Sequence, residues 1–375
     1  MRPRTVLTLS VGCLAAACQL VAGIDDRSVY VEPPPDAVVD ASVTPDAAPD
    51  PCLASWLRPA PSSATSSPTD AIEGVLALSK LRLDTAADSG VAEGMNLDRT
   101  CTCPGHDSCQ RPAGPNAQAL PPACDGPRGV DNSARGLFAV LAQGKVSSEA
   151  AINDSIAKGS AGLVIRIRRY NGLPDDAQVD VAVYASQGFS GAGDAGPAFD
   201  GGDPWSIDQA SVLNYWAETP RYVTTNAYVS GGTLVATLQL PVIVGWSSGQ
   251  PIIVELEGGQ IQAKITMAGA KISGLRGKLG GRWRVDKLLT TLQLVPDPLD
   301  SSKRLCGDNP TFVALKSTFC SAADIASDPS DDGVGVCDAV SLGLGFEASA
   351  AVIGPVRLTP YNGAPCGINY APRCP

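Results

Sequence analysis

The sequence predicts a mainly β protein: an antiparallel β-sandwich-like domain with a few packed α-helices and a disulfide-rich N-terminal segment. Two period-two patterns and one cysteine pattern carry that expectation. Leu163, Ile165 and Ile167 alternate with Val164, Arg166 and Arg168, and Val179, Val181 and Val183 alternate with Asp180 and Ala182. The turn sequence Asn171-Gly172-Leu173-Pro174-Asp175-Asp176 lies between them. Successive side chains of a strand point to opposite faces, so this pair reads as a hairpin with one wet face. Ile252, Val254 and Leu256 repeat the pattern up to Gly258-Gly259, and Ile261, Ala263, Ile265 and Met267 resume it, as expected of a second hairpin turning on two glycines. Cys101, Cys103, Cys109 and Cys124 sit among Pro, Gly and Asp, the composition of a cross-linked loop region.

Taken in order, the chain opens with Arg2 and Arg4, an apolar run from Val6 to Ala17, and Ala15-Ala16-Ala17 before Cys18. A run this short does not cross a hydrocarbon core of about 30 Å, which takes about twenty residues. Residues 1–18 are therefore expected to be a bacterial lipoprotein signal ending at a lipidated Cys18. Cys13, which follows Gly12, is a rival site. Cutting there would stunt the apolar core and leave an odd thiol, whereas lipidating Cys18 and discarding Cys13 leaves an even set: Cys52, Cys101, Cys103, Cys109, Cys124, Cys306, Cys320, Cys337, Cys366 and Cys374. Even numbers suit an oxidising compartment where thiols pair. The four from Cys101 to Cys124 are expected to pair among themselves, and the rest with one another. Gln19, rather than Asp, after Cys18 points to the outer membrane. Residues 19–50, rich in Pro, Asp and Ala, bury too little apolar surface to offset their ordering entropy and read as a semi-extended tether.

Residues 51–375 are expected to form a single β-rich domain: a Cys-rich and helical part (52–160), a β core (161–300), and a helix with a Cys-pinned C-terminal part (301–375). Leu137, Val140 and Leu141 share a face of a helix starting near Asn132. Ala151, Ile152 and Ile156 mark another from Ser148 to Ala157, with Gly159 as its stop. Leu234 to Leu240 and Val242 to Trp246 are strand candidates. Asn309 is a good N-cap and Pro310 a good first helical residue for a helix bearing Phe312, Leu315, Phe319 and Ala323. Leu342 to Phe346 and Val352 to Leu358 read as closing strands.

Several of these stretches resemble a group of uncharacterised myxobacterial cell-envelope lipoproteins. The resemblance rests on Ala17-Cys18-Gln19-Leu20-Val21-Ala22-Gly23-Ile24-Asp25-Asp26, on Asn96-Leu97-Asp98, on Gly129-Val130-Asp131-Asn132, and on the strands flanking Tyr170-Asn171-Gly172. It covers most of the mature chain and implies export, lipidation and a shared fold, with no catalytic residue. Arg99 stands where the related chains often have Gly, which counts against metal coordination by this Asp-containing loop.

With a net charge of −10 and no cluster of Lys and Arg, the chain lacks what phosphate neutralisation needs, and nucleic acid is excluded as a partner. The partners expected are the membrane, through the lipid, and a glycan or envelope protein. His106 is the one histidine in the sequence, which leaves little for imidazole-based catalysis or zinc binding. No cofactor is expected. Calcium is the ion that two groups of loop acids would suit, Asp328, Asp331, Asp332 and Asp338, and Asp194, Asp200 and Asp203, but neither has the EF-hand pattern. Trp205, Tyr215, Trp216, Tyr222 and Tyr228 gather in one stretch, and flat rings on a β scaffold stack on sugar faces. The first four are the candidate binding residues of a glycan-binding or structural module. The alternative is a carbohydrate-active hydrolase using Glu255 and Glu257, which share one face of a strand.

Overall fold

The computed structural model describes residues 57–62, 70–83, 93–102, 108–111, 124–143, 148–191, 196–247, 250–297, 299–358, 366 and 373–374. Cys18, the signal and the tether, as well as Cys52, Cys103, His106 and Asp194, lie outside them. The fold is mainly β with four helices among the described residues. The strands are β1 (Ile72–Arg82), β2 (Gly162–Tyr170), β3 (Asp176–Phe189), β4 (Pro204–Asp208), β5 (Tyr222–Ser230), β6 (Thr233–Ser247), β7 (Gln250–Ala268), β8 (Lys271–Arg284), β9 (Pro296–Asp297), β10 (Asp300–Arg304), β11 (Ala339–Ala350) and β12 (Val352–Arg357). The helices are α1 (Ala134–Gln143), α2 (Glu149–Ala157), α3 (Val285–Leu292) and α4 (Pro310–Ser321).

The expected sandwich is a closed barrel. Around the ring run β1, β2, β3, β5, β6, β7, β8 and β11, each antiparallel to its neighbours, and β11 pairs with β1 to complete the circle. The long β3 makes closure possible. Its first half, from Asp176 to Val183, pairs with β5, while Ser186 to Phe189 pairs with β4. The sheet thereby returns on itself instead of splitting into two layers. Alternation specifies an inner and an outer face, which a sandwich strand and a barrel strand share, so the pattern alone does not separate the two.

Inward residues from opposite strands, among them Leu76, Ile165, Val181, Leu234, Leu256, Leu279 and Phe346, belong to one packed apolar cluster. An eight-stranded barrel is about wide enough for side chains to fill. On β7 and β8 the outward positions are Gln260, Gln262, Lys264, Thr266, Arg276 and Lys278, a wet wall.

The second expected hairpin is also corrected. Gly258 and Gly259 do not turn the chain; they form a bulge inside β7, where the pairing to β8 shifts between Glu257 and Gln260. The extra residue flips parity, so Ile252, Val254 and Leu256 face inward before it and Ile261, Ala263 and Ile265 after it. That flip is what made one strand look like two. Gly259 is required by space, because a Cβ there would lie 2.5 Å from Leu240 Cγ. Likewise, the two strand candidates around Pro241 are one strand, β6. It pairs with β5 only from Thr233 to Val235, so Pro241 falls where β6 has no β5 partner, and the missing N–H is tolerated there.

The first hairpin forms as read, with β2 against β3 around Asn171. The side chain of Asn171 builds the turn: its Oδ1 accepts the Leu173 N–H at 2.7 Å and its Nδ2 donates to the Asp175 carbonyl at 3.0 Å. The helices occupy the other end of the barrel. Ser148 caps α2, which Gly159 ends in the left-handed region at φ 69°. Asn153 of α2 exchanges two 2.8 Å bonds with the Leu81 backbone, as a neighbouring strand would. Asn309 caps α4 through the Phe312 N–H at 3.0 Å, and Phe312 and Phe319 are buried.

Beyond Ala350 the chain continues into β12, which pairs in parallel with β4. Together these strands cover the outer face of β1, β2 and β3, trapping a second apolar cluster of Ala77, Val164, Ala182, Tyr184, Trp205, Ile207 and Val212. The disulfides show the oxidised state and keep two bridges, Cys306–Cys366 and Cys320–Cys374, within the second expected group, but one bridge crosses between the groups. Cys109 bonds to Cys337, tying the first cysteine group to the last part of the chain, while Cys306 bonds to Cys366 and Cys320 to Cys374. Cys101 and Cys124 are also disulfide-bonded.

Candidate functional site

The four aromatics grouped in sequence separate in space. Trp205 is fully buried, its ring 6.0 Å from that of Phe199 under the β4–β12 cover. Tyr222 is buried as well. It donates its hydroxyl to Glu255, and burial together with that carboxylate pushes its phenol upward. Tyr215 and Trp216, at 61% and 68% exposure, stand in solvent with Leu213 beside them. Strand periodicity cannot distinguish these fates, because all four lie at irregular positions between or at the ends of strands.

The exposed pair is held by a tight framework. Asn214 and Tyr215 both have left-handed backbones, φ 53° and 60°, and the Trp216 N–H closes the turn on the Leu213 carbonyl at 3.2 Å. Two consecutive positive φ values are usual for Asn-Gly in such a turn; here a tyrosine occupies the glycine position, at a cost of about 1–2 kcal/mol. The surroundings fix it. Leu213 N–H donates to the Thr219 carbonyl at 2.8 Å, Thr219 N–H to the Trp216 carbonyl at 3.0 Å, and Arg221 N–H to the Ser211 carbonyl at 2.9 Å. Outside the turn, Tyr184 donates its hydroxyl to the Ala217 carbonyl at 2.8 Å, and Arg166 bonds Glu218 at 2.8 Å. The loop is thereby seated on outward side chains of β2 and β3.

Glu255 and Glu257 share the outer face of β7, as their spacing implied, with inward Val254 and Leu256 between and beside them. Glu255 accepts from Tyr222 and, at 3.4 Å, from the Gln239 amide. Glu257 pairs in register with Arg282 of β8.

Of the loop acids expected to suit calcium, Asp200, Asp203, Asp328, Asp332 and Asp338 are engaged in turns and ion pairs, and Asp194 lies outside the described residues. Asp332 makes two 2.6 Å bonds with Arg282, Asp338 accepts the Ser327 N–H at 2.6 Å, and Asp328 accepts the Ser330 N–H at 2.9 Å. Asp200 accepts the Gly202 N–H at 2.9 Å and Asp203 the Ala198 N–H at 3.2 Å. A different group escaped sequence reading: Asp98, Asp125 and Asp131 bring one carboxylate oxygen each within 4.8 Å of the others. Two of these residues, Asp98 and Asp131, lie in stretches already noted, but their separation of more than thirty residues hides that they meet. Comparison of the chain with protein-family models, curated proteins and solved structures finds no match, so the site geometry alone bears on function.

Proposed function

We propose that the chain is a non-catalytic binding module, moored to the outer membrane by lipid on Cys18, that engages glycan through the turn from Leu213 to Trp216. One observation carries this reading: two large rings are held out in water by a backbone that is locally unfavourable yet bonded on every side. Exposed aromatics usually bury themselves; keeping these in solvent on a rigid turn favours stacking on a flat partner, and rigidity spares the ordering cost of binding. The acidic charge and the scarcity of histidine agree with a binder that meets neither nucleic acid nor an imidazole-based reaction. A hydrolase based on Glu255 and Glu257 has weaker support, because Glu255 already accepts from Tyr222 and Gln239 on the outer wall.

The test is a polysaccharide array followed by tryptophan-fluorescence titration of the mature chain. Trp216→Ala and Tyr215→Ala should each weaken binding about tenfold or more, a change of roughly 1.4 kcal/mol, without lowering the melting temperature. Glycan turnover that disappears in Glu255→Gln would replace this reading with the hydrolytic one. For the anchor, fatty-acid labelling should vanish in Cys18→Ser.

A further inference from the structure

The segment from Glu93 to Thr102 lies against the outer wall where β8 meets β11, closely enough that a Cβ on Gly343 would lie 2.3 Å from Gly94 Cα. In this stretch β1 no longer covers β11, and side chains take its place. Asn132 accepts the Gly343 N–H at 3.0 Å and donates to its carbonyl at 3.1 Å; Asp324 accepts the Ser341 N–H at 2.8 Å and two hydroxyls. Asp324 is thus satisfied by the fold itself.

Among its neighbours, Asp98 is not. Asp131 accepts the Leu97 N–H at 2.5 Å, Asp125 the Thr102 N–H at 2.5 Å and Asp98 the Thr100 N–H at 2.9 Å, so each carboxylate is positioned by the loop. Asp98, only 4% exposed, keeps its Oδ2 without a hydrogen-bond partner. The nearby Ser108 hydroxyl favours the charged form, but its proton goes to the Asp324 carbonyl at 3.0 Å. Leaving a buried oxygen without a donor costs about 1–3 kcal/mol, so the unpartnered Asp98 Oδ2 within a cluster of three carboxylates points to a ligand. Arg282, whose charge favours ionised Asp98, is already matched by Asp332.

We propose that Asp98, Asp125 and Asp131 form a calcium site. Three oxygens no more than 4.8 Å apart all lie within about 2.8 Å of one point, a span that the 2.3–2.6 Å bonds of Ca–O coordination fit, and a dedicated carboxylate cage suits Ca²⁺ better than Mg²⁺, which keeps several of its waters. Half-buried Asp125 leaves a side for water to complete the shell. Burial raises all three carboxyls, Asp125 to about 6, and neighbouring carboxylates add to it, Asp332 at Asp98 and Asp98 at Asp125 and Asp131. The substitution that seemed to argue against this loop does not: Arg99 is exposed and holds the left-handed backbone, φ 66°, that a glycine would take, with its N–H on Asn96 Oδ1 at 2.6 Å.

The experiment is calcium binding by calorimetry and metal analysis on the full mature chain after EGTA treatment. One Ca²⁺ per chain should bind, the melting temperature should rise by several degrees in 1 mM Ca²⁺, and 1 mM Mg²⁺ should not reproduce the rise (concentrations on the order of those that saturate extracellular calcium modules). Asp98→Asn should weaken binding at least tenfold, while Asp200→Asn leaves it unchanged. If Asp98→Asn does not fold, Asp125→Asn on the half-exposed rim takes its place. Folded wild-type protein that binds no Ca²⁺, or a folded Asp98 or Asp125 variant that binds as tightly as wild type, overturns the assignment.

Discussion

The two ends of the barrel follow different rules. At one end, β2 passes to β3, β5 to β6 and β7 to β8 through turns of a few residues, built on Asn171, Gly231-Gly232 and Gly269. At the other, β1 reaches β2 through the segment with α1 and α2, β3 reaches β5 through β4 and the aromatic turn, and β8 reaches β11 through α3 and α4. The long-range disulfide Cys109–Cys337 and the carboxylate group derive from these long connections. Short turns set register, and the long connections carry the exposed aromatics and the carboxylate cluster. Only the β6–β7 connection is short at the busy end.

If this division is right, substitutions in the long connections should affect stability and ligand binding separately, and those in the tight turns stability alone. Arg282→Met should have the largest effect. The guanidinium is 1% exposed and bonds Asp332 twice at 2.6 Å, the Ala326 carbonyl at 2.7 Å and the Leu97 carbonyl at 2.8 Å, so its loss should cost about 3–5 kcal/mol in urea unfolding. Replacing both Cys109 and Cys337 by Ala should cost about 2–4 kcal/mol, with the difference between variant and wild type disappearing when both are measured under reducing conditions. Gly259→Ala in the β7 bulge should cost roughly 1–3 kcal/mol, because the new methyl meets Leu240 at 2.5 Å. At the tight end, Asn171→Ala should cost about 1 kcal/mol and leave calcium and glycan titrations unchanged. The smallest change should have the opposite sign: Tyr215→Gly is expected to gain about 1 kcal/mol by relieving the left-handed tyrosine, yet to abolish glycan binding. A neutral or destabilising Tyr215→Gly would remove strain as the cause of the exposed turn.

Much of this fold was legible in sequence. Alternation located β2, β3, β11 and most of β6 and β7, and caps located α2 and α4, because these signals act within a few residues. Closure was not, since it depends on β3 pairing on one edge with β2 and on the other with both β5 and β4, a matter of strand length and curvature. The bulge at Gly258-Gly259 has the glycine signature of a turn, and only the presence of β6 and β8 along the whole strand distinguishes the two. Of the four aromatics read as one group, Tyr215 and Trp216 are exposed, whereas the burial of Trp205 and Tyr222 was set by which side of the barrel wall each reached.

By itself, the sequence determined the inward and outward faces of the strands, the hairpin at Asn171, the helix caps and the acidic, histidine-poor surface, all properties of neighbouring residues. Only the tertiary structure decided that the sheet closes, that Cys109 meets Cys337, and that Asp98, Asp125 and Asp131 converge. Each of these joins segments far apart in the chain, and the free energy that brings them together comes from burying the barrel's interior and outer clusters, which no local pattern encodes.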